Sequence, residues 1–324
     1  MRNRIITPDI ICVGNIVVDA VGVNVDRIPA EGGLALFDRV EMHLGGCANN
    51  TAVALSRLGL KVGLVAKVGA DGLGEHCGRE LTRQGIDIRG LKISHKDSTS
   101  FSFIMIPPGG DRRILHTMGA NATFGCQDVD ARLFQGTRWI CVGGTGLLPA
   151  LGGSSLGVVL SNARKAGAKT AVDTATNDRL SRRDWNRVLA SCYEMMDIFF
   201  PSEAEACAIT GLSEPKRICE TFRSRGVKIA GVKLGSKGCA IMSDEGYFYV
   251  PAYRVKCIDT LGAGDCFMAG LLAGMLKGYS HRHAALLGNA VSAHCVQSVG
   301  ATSGIPALKR VLSFQKLITD RRSK

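Results

Sequence analysis

The chain has 324 residues, 46% of them hydrophobic and 21% charged, which excludes a disordered scaffold and allows one large domain or two smaller ones. Its formal net charge of +12 fits either a polyanion-binding surface or an enzyme with anionic substrates. The basic residues are spread along the chain with no nucleic-acid motif, so nucleic acid is not an expected partner, and no apolar stretch is long enough to predict a membrane-spanning helix.

Ile10 to Val18 is a short apolar run rich in β-branched residues and reads as a buried strand with Asp19 at its end. Ala35 to Leu44 alternates loosely and stops at Gly45-Gly46. Cys47 to Leu58 suits a packed helix that Gly59 ends, Val62 to Val68 a strand, and Gly72 to Gln84 a helix with Asp71 as its N-cap. Phe101 to Ile106 and Ile114 to Thr117 read as two strands around a turn of Pro107, Pro108, Gly109, Gly110 and Asp111.

The second half repeats a strand–helix rhythm. Strands are expected at Trp139 to Val142, Thr170 to Val172, Ile198 to Phe200 and Ile229 to Leu234. Helices are expected at Ser155 to Ala166, Trp185 to Met195 and Ser202 to Thr210. Such alternation predicts a mostly parallel sheet covered by helices on both faces. No linker divides the chain, so residues 1–324 read as one α/β domain, with segments near 20–45 and 95–120 as a small β lid.

The twelve cysteines occur singly, as in Ile11-Cys12-Val13, and none forms a C-x-x-C pair. They read as small buried hydrophobes. Pro8 and Asp9 interrupt the N-terminus before the first apolar run, so no signal peptide is expected, and a reducing cytoplasm fits best.

The segment richest in chemistry is Asp259-Thr260-Leu261-Gly262-Ala263-Gly264-Asp265-Cys266-Phe267, which runs into a helix of small and apolar residues. The first N–H groups of a helix lack internal partners and carry partial positive charge. Glycines let a phosphate approach them, so Gly262, Ala263 and Gly264 can form an anion hole. Asp265, in the first turn, is placed to take a proton from an attacking hydroxyl. Such an aspartate is also an ordinary helix cap.

The length of this pattern closely resembles the C-terminal signature of the ribokinase-like, or PfkB, carbohydrate kinases. The resemblance implies that Asp265 is the catalytic base and that the three preceding amides form the anion hole. Gly45 to Gly59 resembles the family's N-terminal signature, which implies contacts of Gly45, Gly46 and Asn50 with substrate hydroxyls. Asp19 matches a substrate-hydroxyl acceptor, although it reads equally as a solvated loop residue. Val232 to Gly238 resembles the nucleotide loop, which implies nucleotide contacts from Lys233, Gly235, Ser236 and Gly238. Asn289 falls where the family lines its adenine pocket, and Gly300-Ala301 resembles the loop that closes it. Pro201 to Ala206 resembles an Asn-x-x-Glu element that organises magnesium through water. Glu205 matches the glutamate and Ser202 replaces the asparagine. Asp259 matches a position beside a monovalent cation such as potassium in several relatives.

The implied fold is a three-layer α/β sandwich with a β lid. The implied activity is phosphorylation of a sugar-like small molecule with ATP and Mg2+. Related lids also pair, so a homodimer through the lid and a monomer are both expectations. Ribokinases proper carry a lysine where this chain has Cys47, and a glutamate where it has Gly143-Gly144-Thr145-Gly146, so ribose is not favoured. Arg112 and Arg113, beside the lid turn, fit either a substrate anion or a solvated hairpin tip. A nucleoside or vitamin-precursor kinase and a non-catalytic ligand sensor are the competing readings.

Overall fold

The computed structural model describes residues 7–25, 27–107, 112–176 and 182–322. Residues 108–111 of the expected turn therefore lie outside the described residues. In chain order the first half contains β1 (Ile10–Gly14), β2 (Val17–Val23), β3 (Arg39–Gly45), α1 (Cys47–Arg57), β4 (Val62–Gly69), α2 (Gly72–Arg83), β5 (Asp87–Ser94), β6 (Phe101–Ile106) and β7 (Arg113–Thr117). The second half contains β8 (Trp139–Gly143), α3 (Ser154–Lys165), β9 (Lys169–Val172), α4 (Arg182–Leu189), β10 (Ile198–Phe199), α5 (Glu203–Thr210), α6 (Pro215–Ser224), β11 (Ile229–Lys233), β12 (Gly238–Ser243), β13 (Gly246–Pro251), α7 (Ala263–Leu276), α8 (His281–Cys295) and α9 (Leu308–Arg322).

Among the described residues, nine strands form one sheet in the order β13-β12-β11-β10-β9-β8-β1-β4-β5. Pairing is parallel from β11 to β5, and the β12–β13 hairpin is antiparallel. β1 and β8 are buried along their whole length, as expected for strands covered on both faces. One apolar layer packs residues of α1, α2, α7, α8 and α9 on one face, and a second packs α3, α4, α5 and α6 on the other. The result is the expected three-layer sandwich. From β1 the chain moves out through β4 to β5, then returns to β8 on the other side of β1. A ligand crevice forms at such a reversal, beyond the carboxyl ends of the strands.

The second sheet has the order β3-β2-β6-β7, with β2 and β6 parallel and the other pairs antiparallel. Here the structure corrects the reading of Ile10 to Val18 as one strand. The chain turns between Gly14 and Val17, and Asp19 is the third residue of β2 in the small sheet. Composition hid this because Val17 and Val18 continue the apolar run while belonging to the small sheet. The helix expected from Trp185 to Met195 ends at Leu189, and Tyr193–Met195 forms a separate 3-10 turn. No helix among the described residues is long and apolar enough to cross a membrane.

Candidate active site

The α7 N-terminus forms one wall of the crevice. Gly262 is its N-cap at φ +74°, in the left-handed region, and a Cβ there would lie 2.6 Å from the carbonyl oxygen of Ala301. Only glycine lets the helix start this close to that loop. Ala263 N–H is engaged by the Thr260 carbonyl at 3.2 Å. No acceptor among the described residues takes the N–H groups of Gly262, Gly264 or Asp265. Two of the three amides assigned by resemblance, with that of Asp265, are thus the donors an anion would meet.

Asp265 is buried at the third position of this helix. Its Oδ2 accepts from Asn50 Nδ2 of α1 at 2.8 Å, and Cys47, the first residue of α1, lines the same cavity. Burial pushes its pKa up to about 6, opposed by Asn50, Lys233 and Cys47. Among the described residues Asn50 Oδ1 is buried without a partner, so one amide holds the carboxylate and leaves an acceptor in a wall of the cavity.

That cavity has a volume of about 740 Å³ and is bounded by Asp19, Asn50, Ser102, His116, Lys233 and Asp265, among others. It is large enough for a small-molecule pair. The small sheet supplies the opposite wall. His43, Asp19, Ser102 and His116 are direct cross-strand neighbours on β3, β2, β6 and β7, so they form one polar row across the sheet. Asp19 is raised by burial, opposed by a hydrogen bond from the Ser102 hydroxyl and by the nearby His116, His43 and Arg112. Ser102 Oγ lies 3.0 Å from His116 Nδ1. This contact ties β6 to β7 beside Asp19, with the donor set by the imidazole tautomer. Gly45 is needed behind this row because a Cβ would stand 2.1 Å from Asp19 Oδ2. Gly46 lines the cavity directly.

The carboxyl ends of β9 and β11 bring Asp173 and Lys233 together at 2.5 Å. Asp173 is buried and was missed by sequence reasoning, although a carboxylate just past a strand end was the signal used for Asp19. Burial raises Asp173 against the pull of Lys233. Lys233 stays protonated, because Asp173, Glu205 and Asp265 outweigh the effect of burial.

Ser202 and Glu205 line the same cavity. Glu205 Oε2 accepts from Ser202 N–H at 2.8 Å, Ser202 Oγ at 2.7 Å and Thr174 Oγ1 at 2.8 Å, in a reciprocal capping box at the start of α5. Gly235 lines the cavity, whereas Ser236 and Gly238 stand outside it. Asn289 donates to the Val250 and Pro251 carbonyls at 3.0 and 3.2 Å, tying α8 to β13. Asp259 accepts from Leu261 N–H and Gly300 N–H, each at 3.0 Å, with the Arg112 guanidinium 3.5 Å away. Among the described residues no group of three His, Cys, Asp or Glu side chains could hold a metal ion.

The sequence matches the pfkB family carbohydrate kinases over residues 7–308. It is 28% identical over 292 residues to a 2-dehydro-3-deoxygluconokinase from Bacillus subtilis, covering 87% of this chain and 90% of the relative. The fold is similar to that of an Arabidopsis thaliana ribokinase complexed with ribose and ATP, with TM-score 0.83, 24% identity and coverage of 96% and 99%. It is also similar to a putative ribokinase II from E. coli in complex with ATP and Mg2+, with TM-score 0.81, 23% identity and coverage of 95% and 99%. The chain belongs to the pfkB family of carbohydrate kinases.

Proposed function

We propose that this chain transfers the terminal phosphoryl group of ATP to a hydroxyl of a sugar or sugar derivative, with Asp265 as general base. The observation that carries this reading is the placement of Asp265. It is buried beside N–H groups at the α7 N-terminus that have no acceptor among the described residues, and it faces the polar row of the small sheet across one cavity. The acceptor rests its hydroxyls on Asp19, His116 and Asn50, with Gly46 beneath it. Asp265 takes the proton of the hydroxyl that attacks. The N–H groups of Gly262 and Gly264, with Asp265's own, receive the transferred oxygens. The turn at Gly235 and Ser236 lies at the nucleotide end.

Magnesium bound with ATP neutralises phosphate charge. The donor set fits an ion carried on the nucleotide, because no protein cage is present among the described residues and Glu205 presents its carboxylate from a capped, rigid position. Asp259 would be the carboxylate beside a potassium ion; each of its oxygens accepts one backbone N–H group, and Arg112 also supplies positive charge there. No Phe, Tyr or Trp is among the described cavity-lining residues, which disfavours base stacking and hence a nucleoside acceptor.

The test is ADP release with MgATP across free sugars, sugar acids, sugar phosphates and nucleosides. Turnover on a sugar class supports the reading. Turnover confined to nucleosides overturns the acceptor class, and bound ATP without turnover on any acceptor favours a ligand sensor. The acid limb of kcat/KM is expected where Asp265 titrates, at about 6. A pH profile flat from 5 to 8 would remove Asp265 from the base role.

The small sheet acts as the lid and as a dimer surface in this reading. Met42, Ala20, Phe103 and Leu115 form the cross-strand row adjacent to the polar one, on the opposite face. Met42 is 43% and Leu115 60% exposed. Exposed apolar groups on a sheet face suit a self-complementary two-fold contact. Sedimentation is expected to show a dimer that the double substitution Met42→Glu, Leu115→Glu converts to monomer. A wild-type monomer at micromolar concentration would rule the contact out. The twelve cysteines are all free, which supports a reducing compartment such as the cytoplasm.

A further inference from the structure

We infer that Lys233 is a catalytic residue whose ammonium, held in place by Asp173, contacts the phosphoryl group during its passage from ATP to the acceptor. The inference rests on the kinase reading above and goes beyond a role for Lys233 in holding the nucleotide.

Position carries the argument. Lys233 ends β11 just before the turn at Gly235, yet its side chain does not follow that turn. It crosses to Asp173, where the ammonium lies 2.5 Å from Oδ1, and the two side chains are 13% and 3% exposed. It also lies along the first turn of α7. A Cβ on Gly264 would stand 3.1 Å from Nζ and 3.6 Å from Cε. The ammonium therefore adjoins the N–H groups that receive the phosphoryl oxygens, on the same cavity wall as the proposed base.

The charges around it explain why a partner is needed. Asp173, Glu205 and Asp265 all act on Lys233. Paired with Asp265, the ammonium would occupy the lone pair that must accept the hydroxyl proton. Asp173 approaches from β9 and takes the ammonium instead, which leaves Asp265 to Asn50 and the acceptor. Asp173 is thus a positioning residue. A buried ion pair gives little stability over an apolar pair of similar size, so stability alone is a weak account of these two residues in a cavity wall.

The step balances without a further reactant. The acceptor hydroxyl gives its proton to Asp265 and its oxygen forms a bond to the γ-phosphorus. The bond from that phosphorus to the β–γ bridging oxygen breaks, and ADP leaves with the electron pair. Lys233 keeps its proton throughout and supplies charge and hydrogen bonds to the oxygens in transit.

The test uses the full chain with the best acceptor from the ADP-release panel. Lys233→Met is expected to lower kcat by about 100-fold, the scale for removing one transition-state donor, with the KM for ATP nearly unchanged. Calorimetry gives a readout independent of turnover. Lys233→Met is expected to bind MgATP normally and to lose most of its affinity for MgADP with aluminium fluoride, a mimic of the transferring group. Lys233→Arg is expected to recover part of both losses. Asp173→Asn is expected to lower kcat less, and to add little in the Lys233→Met background, because the two residues act as one unit. The double variant removes both members of the Asp173–Lys233 pair together, so neither is left buried without the other, and it tests the idea even if a single variant folds poorly. A raised KM for ATP with normal kcat in Lys233→Met would make Lys233 a nucleotide anchor and overturn the inference. Wild-type turnover in the double variant would do the same. Either result leaves the kinase reading intact, whereas a wild-type enzyme that turns over no acceptor removes the kinase reading itself.

Discussion

Asp265→Asn is expected to lower kcat by about 1000-fold while leaving ATP binding in place, since it deletes the proton acceptor and keeps the shape. The new amide oxygen can still accept from Asn50, so the α1–α7 contact survives. Stability should move the opposite way to activity. In the folded chain Asp265 is raised from 3.8 to about 6 by burial. A carboxyl raised by folding stabilises the fold fully only below its unfolded pKa, and that contribution is lost as pH rises through the folded value. At pH 7 the charged, buried form therefore costs the protein on the order of 3 kcal/mol. Asp265→Asn removes that cost. The variant is expected to melt higher than wild type at pH 7.5, with the gain shrinking between pH 6 and pH 4. Near-normal turnover would sink the base assignment. A lower melting temperature at pH 7.5 would show that the hydrogen bond from Asn50 and the nearby Lys233 charge outweigh desolvation, and the raised titration would have to be abandoned.

This trade-off bears on what was legible in the sequence. Asp265 and the glycines before it lie in one short segment, and their chemistry follows from local geometry: a helix start, bare N–H groups and a carboxylate one turn in. The parallel sheet and its helices were readable for the same reason, because each strand–helix unit carries its own apolar pattern. Residues whose meaning depends on another part of the chain were not. Lys233 was noticed only as part of a turn, because Asp173 lies 60 positions away and follows a strand of four residues with no motif around it. Asp19 reads as the end of a strand in the main sheet because its apolar neighbours give no sign of where one sheet ends and the next begins. Ser102 and His116 became site residues only through the cross-strand register, which aligns β2, β6 and β7 in a way no single segment encodes. The tie of Asn289 from α8 to the end of β13, through two backbone carbonyls, is likewise invisible in its own segment. Glu205 shows the converse: the Ser-x-x-Glu spacing was a capping signal as well as a family one, and the capping role is visible in the structure.

Gly262→Ala is expected to have the second-largest effect, and it separates backbone strain from the integrity of the anion hole. The left-handed conformation at φ +74° costs a non-glycine residue about 1–2 kcal/mol. The larger problem is steric. The added Cβ would lie 2.6 Å from both the Cβ and the carbonyl oxygen of Ala301. That loop cannot simply withdraw, since Arg57 donates to the Thr302 and Ser303 carbonyls and Gly300 N–H is held by Asp259. The start of α7 must move instead, and with it the N–H groups and the Asp265 carboxylate. A loss of about 100-fold or more in kcat is expected, the scale for misplacing transition-state donors. Gly278 provides the control at the other end of the same helix. It follows Lys277, the C-cap of α7, has φ +76°, and a Cβ there would meet nothing within 4 Å. Gly278→Ala carries the same backbone strain without the collision, so it is expected to lower stability by about 1 kcal/mol and leave kcat unchanged. If the two variants lose turnover equally, strain anywhere in α7 is sufficient and the special position of Gly262 is disproved. If only Gly262→Ala loses turnover while both lose stability, the close approach to Ala301 is what aims the helix N-terminus at the phosphoryl group.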